Sequence, residues 1–401
     1  MKIIYLHQYF CTPDKGGATR SYHIAKAMIS SGHQVDMITT HNKNEYMVEK
    51  IDGIRVHFLP ISYHNHYTSL RRIWSFIQFA FKSYKIAKNI SADLVYATST
   101  PLSVGWTALK LNAKKGMPYI FEVRDLWPEA PKALGVIQNK FLLRYLEILE
   151  RKIYHRADNI IVLSPTMKTF IAKNIDESKI CVVPNFSDNS FIPKQKIVPG
   201  FELNKKFKIT YAGALGLVND IAFLKKLIVL IDQKFGHSIQ FTIMGNGKFA
   251  EEIKSLCQKT SNVSFLGFLP KEKVFKELLL SDASLTTFLP FEILESNSPN
   301  KFFDGLAMSN ISLINFGGWI ANLIETHHCG LRIDESKIEI QLHDLLQNAN
   351  EHLSMKQNAK HLALHFFDKD LLCAEIIGLL ESNKKKYSKA KMIKTVRTKT
   401  A

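Results

Sequence analysis

Residues Ser284 to Gly318, SLTTFLPFEILESNSPNKFFDGLAMSNISLINFGG, contain in order the patterns of a strand, a polar loop, a short helix, a turn and a second strand. Ser298 before Pro299 predicts the start of the helix, because a hydroxyl can cap free backbone N–H groups and the fixed φ of proline suits the first helical position. Helical spacing places Asn300, Lys301 and Asp304 on a polar face. The opposite, apolar face consists of Phe302, Phe303, Leu306 and Ala307.

The polar face has the chemistry of a site for a nucleoside-diphosphate sugar. A helix N-terminus at Ser298 attracts a diphosphate, Lys301 adds a positive charge, and Asp304 can accept hydrogen bonds from sugar hydroxyls. The polar loop before it adds Glu295 and Asn297 to the candidate donor site. An ordinary amphipathic helix whose polar residues face water fits the same pattern, and this stretch alone leaves both interpretations open.

The composition is that of a globular protein without disulfides. With 401 residues, of which 46% are hydrophobic, the chain is long for a single core, so we expect two domains of about 150 to 200 residues. The N-terminal run from Met1 to Leu6 is too short for a signal peptide and predicts a first strand in a cytoplasmic protein. The five cysteines are scattered and odd in number, which argues against a disulfide framework and a zinc site. We expect no metal and no cofactor.

A formal net charge of +17 calls for an anionic partner. No nucleic-acid-binding signature accompanies the charge, so we expect no nucleic acid. The segment from Tyr67 to Lys88 favours an anionic membrane surface instead. Its apolar stripe consists of Trp74, Ile77, Phe81 and Tyr84, widened by Phe76 and Phe79, and its basic residues are Arg71, Arg72, Lys82, Lys85 and Lys88.

Two simpler interpretations of this charge stay open. The segment from Tyr67 to Lys88 equally fits a helix packed on its own sheet with a basic outer face. The basic tail, residues 383–401, points to a membrane surface as well, but such tails are commonly solvated and disordered. No run approaches the ~20 apolar residues that span a bilayer, so the chain would lie on a membrane without crossing it.

The first half of the chain alternates strands and helices. A strand from Lys2, a loop with Gly16 and Gly17, a helix from Ala18 and a strand from Gln34 form a βαβ unit, which predicts a parallel sheet. The glycine pair allows a ligand to approach the backbone, with Arg20 nearby, although a simple turn explains the pair as well. Since GxGxxG is absent, no dinucleotide fingerprint supports this loop.

A charged loop follows the strand from Tyr119 to Val123. In an open parallel sheet, ligands bind beyond the carboxyl ends of the strands, which places Arg124 and Asp125 well for chemistry. Arg124 can hold a phosphate bidentately, and Asp125 can orient a sugar hydroxyl or act as a base. A structural pair of an arginine and a carboxylate, anchored by Trp127, is the alternative.

The second half restarts the same pattern after a predicted linker at residues 186–207. Its strands end at glycine-containing loops, and the candidate donor-binding residues there are Gly213, Gly245, Asn246, Gly247, Gly267 and Phe268. We therefore predict an α/β protein with two Rossmann-like domains, residues 1–185 and 208–370, whose parallel sheets face each other across a cleft. A final helix is predicted at residues 371–382.

The order of these parts resembles the GT-B glycosyltransferases of family 4, the retaining type, and in particular the N-acetylfucosamine transferase-like enzymes of bacterial O-antigen and capsule assembly. The resemblance covers nearly the whole chain, and two of its strings are specific: RDLWPE at 124–129 and SPNKFFDGLA at 298–307. Its other segments are QYF at 8–10 with Gly16-Gly17, EV at 122–123, VPN at 183–185, YAG at 211–213, MGNG at 244–247 and FLG at 265–267.

This resemblance implies transfer of a sugar with retention and without a metal. The C-terminal domain would hold the nucleotide sugar, expected to be UDP-linked, with Gly17 beside it and the 371–382 helix returning to the N-terminal domain. Asp304 matches the second acid of the family's paired-acid motif, which meets the ribose, and Ser296 matches the first, with Glu292 and Glu295 close by. Lys301 would supply the charge that the Gly213 loop lacks, as a catalytic residue together with Arg124 and Asp125. Gly267 and Phe268 would bound the base pocket.

The acceptor implied is a sugar on undecaprenyl diphosphate, held by the N-terminal domain at the inner face of the cytoplasmic membrane. The residues assigned to the acceptor or the membrane are Arg20, Arg71, Arg72, Trp74 and Phe81. Two other functions stay open. A nucleotide-sugar 2-epimerase has the same two-domain architecture, and a non-catalytic membrane or nucleic-acid binding protein would account for the charge.

Overall fold

The computed structural model describes residues 1–63, 67–191 and 206–399. Its first half is an eight-stranded sheet in the order β3-β4-β2-β1-β5-β6-β7-β8. The strands are β1 (Lys2–Leu6), β2 (Gln34–His41), β3 (Met47–Ile51), β4 (Ile54–Pro60), β5 (Leu94–Thr98), β6 (Tyr119–Val123), β7 (Asn159–Val162) and β8 (Ile180–Val182). The helices between them are α1 (Arg20–Ser30), α2 (Ser69–Ala87), α3 (Ser103–Lys115), α4 (Glu129–Ala133), α5 (Lys140–Arg156) and α6 (Pro165–Ala172).

The edge strand β3 is the one antiparallel member of the described sheet, and the sequence analysis did not predict it. It pairs with β4 through a turn at Asp52 and Gly53, both of which have positive φ. Every residue of β3 is exposed or half-buried, so the strand lacks the alternation of buried and exposed residues by which strands are recognised. The other strand pairs of this sheet are parallel, as predicted.

The second sheet has six parallel strands in the order β11-β10-β9-β12-β13-β14. They are β9 (Phe207–Ala212), β10 (Ile239–Met244), β11 (Val263–Gly267), β12 (Ala283–Thr286), β13 (Ile311–Ile314) and β14 (Gly330–Arg332). The helices are α7 (Ile221–Lys234), α8 (Ala250–Cys257), α9 (Lys271–Leu279), α10 (Glu292–Glu295), α11 (Asn300–Ala307), α12 (Trp319–His327), α13 (Ile338–Gln347), α14 (Ala349–His365) and α15 (Lys369–Lys399).

A continuous hydrophobic cluster joins the two halves. It runs from Ile3 in the first sheet through Phe186 to Phe303 on α11 and Ile376 on α15. Helix α15 packs against α1, and Ser187 forms two backbone hydrogen bonds that tie the segment after β8 to the start of α15. The helix predicted at residues 371–382 is longer than expected, because it continues through the basic residues to Lys399. Residues 192–205 of the predicted linker and 400–401 of the predicted tail lie outside the described residues.

Candidate functional site

A cavity of about 500 Å³ lies between the β1–α1 loop and the carboxyl ends of the strands of the second sheet. Eight residues that the sequence analysis assigned to the donor site line it together: Gly17, Gly213, Gly245, Asn246, Phe268, Asn300, Lys301 and Asp304. Ten further residues complete its wall: Ala18, Ala212, Ala214, Asn219, Met244, Leu269, Lys271, Val274, Phe288 and Pro299. The first domain contributes Gly17 and Ala18, so the cavity is an interdomain site.

Lys301 is held among polar and aromatic groups at the base of this cavity. Its Nζ donates to the Tyr211 hydroxyl at 3.0 Å and lies 4.4 Å from the centre of the Tyr211 ring. The Asn219 amide, oriented with its nitrogen toward the Ala214 carbonyl, places its oxygen 3.0 Å from the same Nζ. Because burial disfavours the charged form, the pKa of the Lys301 ammonium falls to about 7. Among the described residues, no carboxylate forms an ion pair with Lys301 to offset this burial.

Two glycines make room for this arrangement. A Cβ on Gly213 would lie 2.9 Å from Lys301 Cε, so a side chain there would displace the lysine. A Cβ on Gly245 would lie 1.8 Å from the Gly213 carbonyl oxygen, which no side chain allows. Both loops therefore depend on glycine to bring β9, β10 and α11 together at one point.

Asp304 is paired with a lysine that the sequence analysis did not single out. Lys271 Nζ donates to Asp304 Oδ2 at 2.5 Å, and both side chains are nearly buried. Burial raises the pKa of the Asp304 carboxyl, while the Lys271 ammonium acts in the opposite direction. Lys271 is the first residue of α9, and its position at a strand-to-helix junction after β11 was the available signal. The cavity thus holds two lysines against one carboxylate.

The prediction that Ser298 caps α11 was wrong. Pro299 occupies the N-cap position, and no side chain bonds the first N–H groups of the helix. The Ser298 hydroxyl accepts instead from the backbone N–H of Asn185 at 3.1 Å. The Ser298 hydroxyl therefore binds a residue that is distant in the sequence and does not cap the helix. The uncapped N-terminus of α11 lines the cavity with Asn300 and Lys301. The same serine-proline sequence at Ser164 and Pro165 does begin a helix with a serine cap, since the Ser164 hydroxyl accepts from the Met167 N–H.

Glu295 and Asn297 do not line the cavity, contrary to their predicted donor-binding role. The Glu295 carboxylate accepts from the Gly317 N–H at 3.2 Å, and the Asn297 carbonyl accepts from Trp319 Nε1 at 2.8 Å. The Ser296 hydroxyl donates to the Ile293 carbonyl, and Glu292 is exposed. The acidic and hydroxyl groups at this end of the loop therefore point into the protein's own backbone or to solvent.

Gly247 and Gly267 do not line the cavity but contact the loops that do. A Cβ on Gly247 would collide with the Leu215 carbonyl at 2.4 Å. The Gly267 carbonyl accepts from the Gly245 N–H at 2.8 Å. Their part in donor binding stays a prediction, and their observed contacts shape the loops that do line the cavity.

Arg124 and Asp125 lie at the carboxyl end of β6 but outside the cavity lining. The Asp125 carboxylate accepts from the Thr100 hydroxyl at 2.7 Å, and the Arg124 N–H donates to the Ser99 hydroxyl at 3.0 Å. The alternative interpretation expected an ion pair between an arginine and a carboxylate. The Asp125 carboxylate is hydrogen-bonded to a threonine instead. The catalytic roles of both residues stay predictions.

Arg20 is not available to an acceptor or a membrane. Its side chain is only 1% exposed; it donates to Glu122 at 3.3 Å and to the Val183 and Pro184 carbonyls, and it stacks on Phe186. An arginine near the start of α1 points inward here because an equally buried carboxylate on β6 faces it. The prediction of a surface role was wrong, since Arg20 joins α1, β6 and the segment after β8.

Helix α2 divides its aromatic residues between two faces. Phe76 and Phe79 are buried, whereas Trp74 is 59% and Phe81 61% exposed. Arg71 and Lys85 are exposed, and Arg71 stacks on Tyr67 at 3.7 Å; Arg72, predicted to serve the acceptor or the membrane, is half-buried and lies over Tyr63. The outer face is therefore apolar as well as basic, which a helix that only packs on its own sheet does not explain.

Helix α5 adds an apolar surface that the sequence analysis missed. Phe141 is 89% exposed, and Tyr145 and Ile148 are exposed one and two turns further on. Lys140 and Arg144 accompany them. Helix α3 packs against both α2 and α5, so the two exposed faces flank it on one side of the first sheet. The helical spacing of Phe141, Tyr145 and Ile148 is visible in the sequence. Which side of α5 is buried depends on the sheet beneath the helix.

Comparisons with known proteins agree with this architecture. Residues 15–185 match the family described as "Glycosyl transferase 4-like domain". Among solved structures, sucrose-phosphate synthase from Thermosynechococcus elongatus superposes with a TM-score of 0.73 at 12% identity, covering 96% of this chain and 99% of that one. WaaG, a glycosyltransferase involved in lipopolysaccharide biosynthesis, gives 0.65 at 15% identity, with 94% and 99% covered. No curated protein matches the sequence significantly.

A further similar structure is Anabaena HepE in complex with UDP-glucose, with a TM-score of 0.64, 14% identity, and 95% and 100% of the two chains covered. Likenesses at this level of identity show the fold, which is the GT-B fold of two Rossmann-like domains. The match to the glycosyl transferase 4-like domain covers residues 15–185, and the solved structures show the GT-B fold over nearly the whole chain.

Proposed function

We propose that this protein transfers a sugar from a nucleoside-diphosphate donor, with retention and without a metal, to a sugar carried on a lipid diphosphate. One observation carries the proposal: an uncapped helix N-terminus and the buried Lys301 side chain both line an interdomain cavity. A diphosphate would complete the charge of Lys301 and accept from the free N–H groups of α11. The complex of Anabaena HepE with UDP-glucose supports a donor of this class.

Within this proposal, different cavity residues bind different parts of the donor. Gly213 and Gly245 let the backbone approach the diphosphate, and Phe268 offers a ring at the cavity edge for the base. Asp304, with Lys271 beside it, meets the ribose hydroxyls. Arg124 and Asp125 serve the sugar transfer from the facing domain. Lys301 stabilises the diphosphate as it leaves, which replaces the metal ion in this chemistry.

The donor and pathway follow from the sequence resemblance and remain part of the proposal. The donor would be a UDP-linked N-acetylated deoxyhexosamine such as N-acetyl-L-fucosamine. The acceptor would be an undecaprenyl-diphosphate-linked sugar in O-antigen, capsule or exopolysaccharide assembly. WaaG, which is involved in lipopolysaccharide biosynthesis, has the same fold and supports this placement.

A panel assay tests the proposed activity directly. The purified full chain is incubated with UDP- and GDP-sugars, with and without a prenyl-diphosphate-linked sugar, and the products are identified by mass spectrometry. We expect transfer that requires the acceptor, and slow donor hydrolysis without it. Conversion of the donor sugar to its epimer without acceptor would favour a 2-epimerase, and no reaction with any donor would contradict both enzymatic functions.

We also propose that the protein lies on the inner face of the cytoplasmic membrane through α2. No helix in the described part of the chain is long and apolar enough to cross a bilayer. The exposed face of α2 combines Trp74 and Phe81 with Arg71 and Lys85, and the helix contains no acidic residue. Aromatic side chains insert at the headgroup level and basic side chains attract anionic lipid, which makes this face suitable for a membrane surface.

Replacing Trp74 and Phe81 by serine tests the membrane surface. Burial of each aromatic ring in the interface is worth about 1.5 to 3 kcal/mol, so the double variant should bind anionic vesicles at least about 150-fold more weakly. Co-sedimentation with vesicles of phosphatidylcholine and 30% phosphatidylglycerol measures the change. Ile340→Ser, which removes an exposed apolar residue from α13 of the second domain, is the matched control and should bind like the wild type. Equal binding by all three proteins would contradict the proposal.

A further inference from the structure

Three consecutive carbonyl groups just before α11 each accept a hydrogen bond from a side chain. The Ser164 hydroxyl donates to the Ser296 carbonyl at 2.6 Å, and Trp319 Nε1 donates to the Asn297 carbonyl at 2.8 Å. Asn185 Nδ2 donates to the Ser298 carbonyl at 2.5 Å. The backbone of residues 296–298, which leads directly into the helix end at the cavity, is therefore held at every residue.

Two of the three donors come from outside the second sheet and its helices. Ser164 is the N-cap of α6 in the first domain, where its hydroxyl also accepts from the Met167 N–H at 3.1 Å. Asn185 follows β8, and its own N–H donates to the Ser298 hydroxyl. Only Trp319, on α12, belongs to the same domain as the segment. The position of residues 296–298 therefore depends on where the first domain lies.

These hydrogen bonds are buried, which makes them costly to lose. Ser164, Asn185, Ser296 and Ser298 are all buried. Asn297 to Pro299 lie between α10 and α11 and belong to no helix or strand. Among the described residues, the carbonyls of residues 296–298 have no backbone donor to replace a lost side-chain donor, and an unpaired buried carbonyl is unfavourable. Losing one donor would let the segment, and with it the first turn of α11, leave its present position.

We infer that Ser164 and Asn185 are positioning residues for the donor site: they hold the N-terminus of α11 in the geometry that binds a diphosphate only while the two domains are in contact. This inference rests on the proposed function, because it takes the α11 end as the diphosphate site. It adds a linkage between domain contact and donor affinity. By thermodynamic reciprocity, a bound nucleotide stabilises the contact between the two domains by the same free energy by which that contact strengthens nucleotide binding.

Ser164→Ala tests the linkage, with UDP as the probe in isothermal titration calorimetry. Loss of one buried hydrogen bond corresponds to about a five- to tenfold change in an equilibrium constant, so we expect the Kd for UDP to rise by about that factor. The KM for the nucleotide sugar should rise equally while the KM for the acceptor stays within twofold. Ser164→Thr, which keeps the hydroxyl, should restore the wild-type Kd within about twofold.

Asn139→Ala is the matched control, because Asn139 caps α5 in the same domain through the Leu142 N–H and, within the described part of the chain, donates no hydrogen bond to the second domain. It should lower the Tm like any lost cap, while its Kd for UDP stays within about twofold of wild type. Should Ser164→Ala not fold, Ser164→Cys takes its place, because a thiol is nearly the same size and a weak donor. Trp319→Phe removes the third donor only and should raise the Kd about threefold.

The outcomes separate this inference from the proposed function. Wild-type protein that binds UDP, together with a folded Ser164→Ala that binds it equally well, overturns the linkage and leaves the donor site standing. A rise in Kd that Asn139→Ala matches shows general loss of stability and also overturns it. Wild-type protein that binds neither UDP nor GDP contradicts the proposed function itself.

Discussion

Replacing Lys301 by methionine should lower the rate of sugar transfer by about 100- to 1000-fold, the usual cost of removing one group that stabilises developing charge. Methionine keeps most of the length of the side chain beside Tyr211 and Phe288 but removes the ammonium and its contacts with the two rings. The stability of the folded protein should not decrease, because the variant no longer has to bury a charge. Initial rates at saturating donor, together with the Tm, measure the two effects.

The same variant should lose the pH dependence of nucleotide binding. Because burial lowers the pKa of Lys301 to about 7, a bound diphosphate must raise this pKa, and binding takes up a proton above pH 7. UDP affinity of the wild type should therefore fall by up to about tenfold per unit between pH 7 and pH 9, where the diphosphate is already fully ionised. Calorimetry in two buffers of different ionisation enthalpy measures the proton uptake.

Lys276→Met is the control for both measurements. Lys276 is an exposed lysine on α9 paired with Glu272, at a distance from the cavity lining. It should leave the rate, the affinity and the pH profile unchanged. A Lys301→Met enzyme that transfers sugar at more than about a tenth of the wild-type rate would show that Lys301 does not serve the leaving diphosphate.

Replacing Arg20 by methionine should destabilise the protein strongly without any specific effect on an acceptor. The change leaves the Glu122 carboxylate fully buried without its cation, which typically costs about 3 to 5 kcal/mol. It also leaves the Val183 and Pro184 carbonyls without a donor. Because these groups lie where the first domain ends, we expect the unfolding midpoint in urea to fall by more than for any single surface substitution.

Lys26→Met on the same helix provides the comparison, since Lys26 contacts only the Asp52 carbonyl among the described hydrogen bonds and is half-buried. Its midpoint should stay close to that of the wild type. Adding Glu122→Gln to Arg20→Met should recover part of the loss, because the neutral amide no longer needs a cation. An Arg20→Met protein as stable as the wild type, but with a raised acceptor KM, would restore the original prediction of an acceptor role.

Much of the fold was predictable because the information is local. Strand β6 was predicted with its bounds, Tyr119 to Val123, from a buried apolar run. The buried face of α11, with Phe302 and Leu306, follows from helical spacing. Strand β3 escaped prediction because both of its faces are largely exposed and it carries no periodic pattern.

The candidate site was predictable only as a set of loops. Parallel strands bring their carboxyl ends to one edge, so the loops at Gly213, Gly245 and Phe268 could be placed together before the structure was known. The hydrogen-bond partner of each polar group could not be predicted from the sequence. Ser298 and Ser164 carry the same serine-proline signal, yet only Ser164 caps its helix.

By itself the sequence determined that this chain forms two sheets of mostly parallel strands and that Asn300, Lys301 and Asp304 share the polar face of one helix. Only the tertiary structure decided their partners, such as Lys271 for Asp304 and Tyr211 for Lys301. The physical reason is range: the side on which a side chain lies follows from neighbours within one or two turns. A hydrogen bond or ion pair requires two atoms within a few ångströms, and these pairs are separated by 33 and 90 residues.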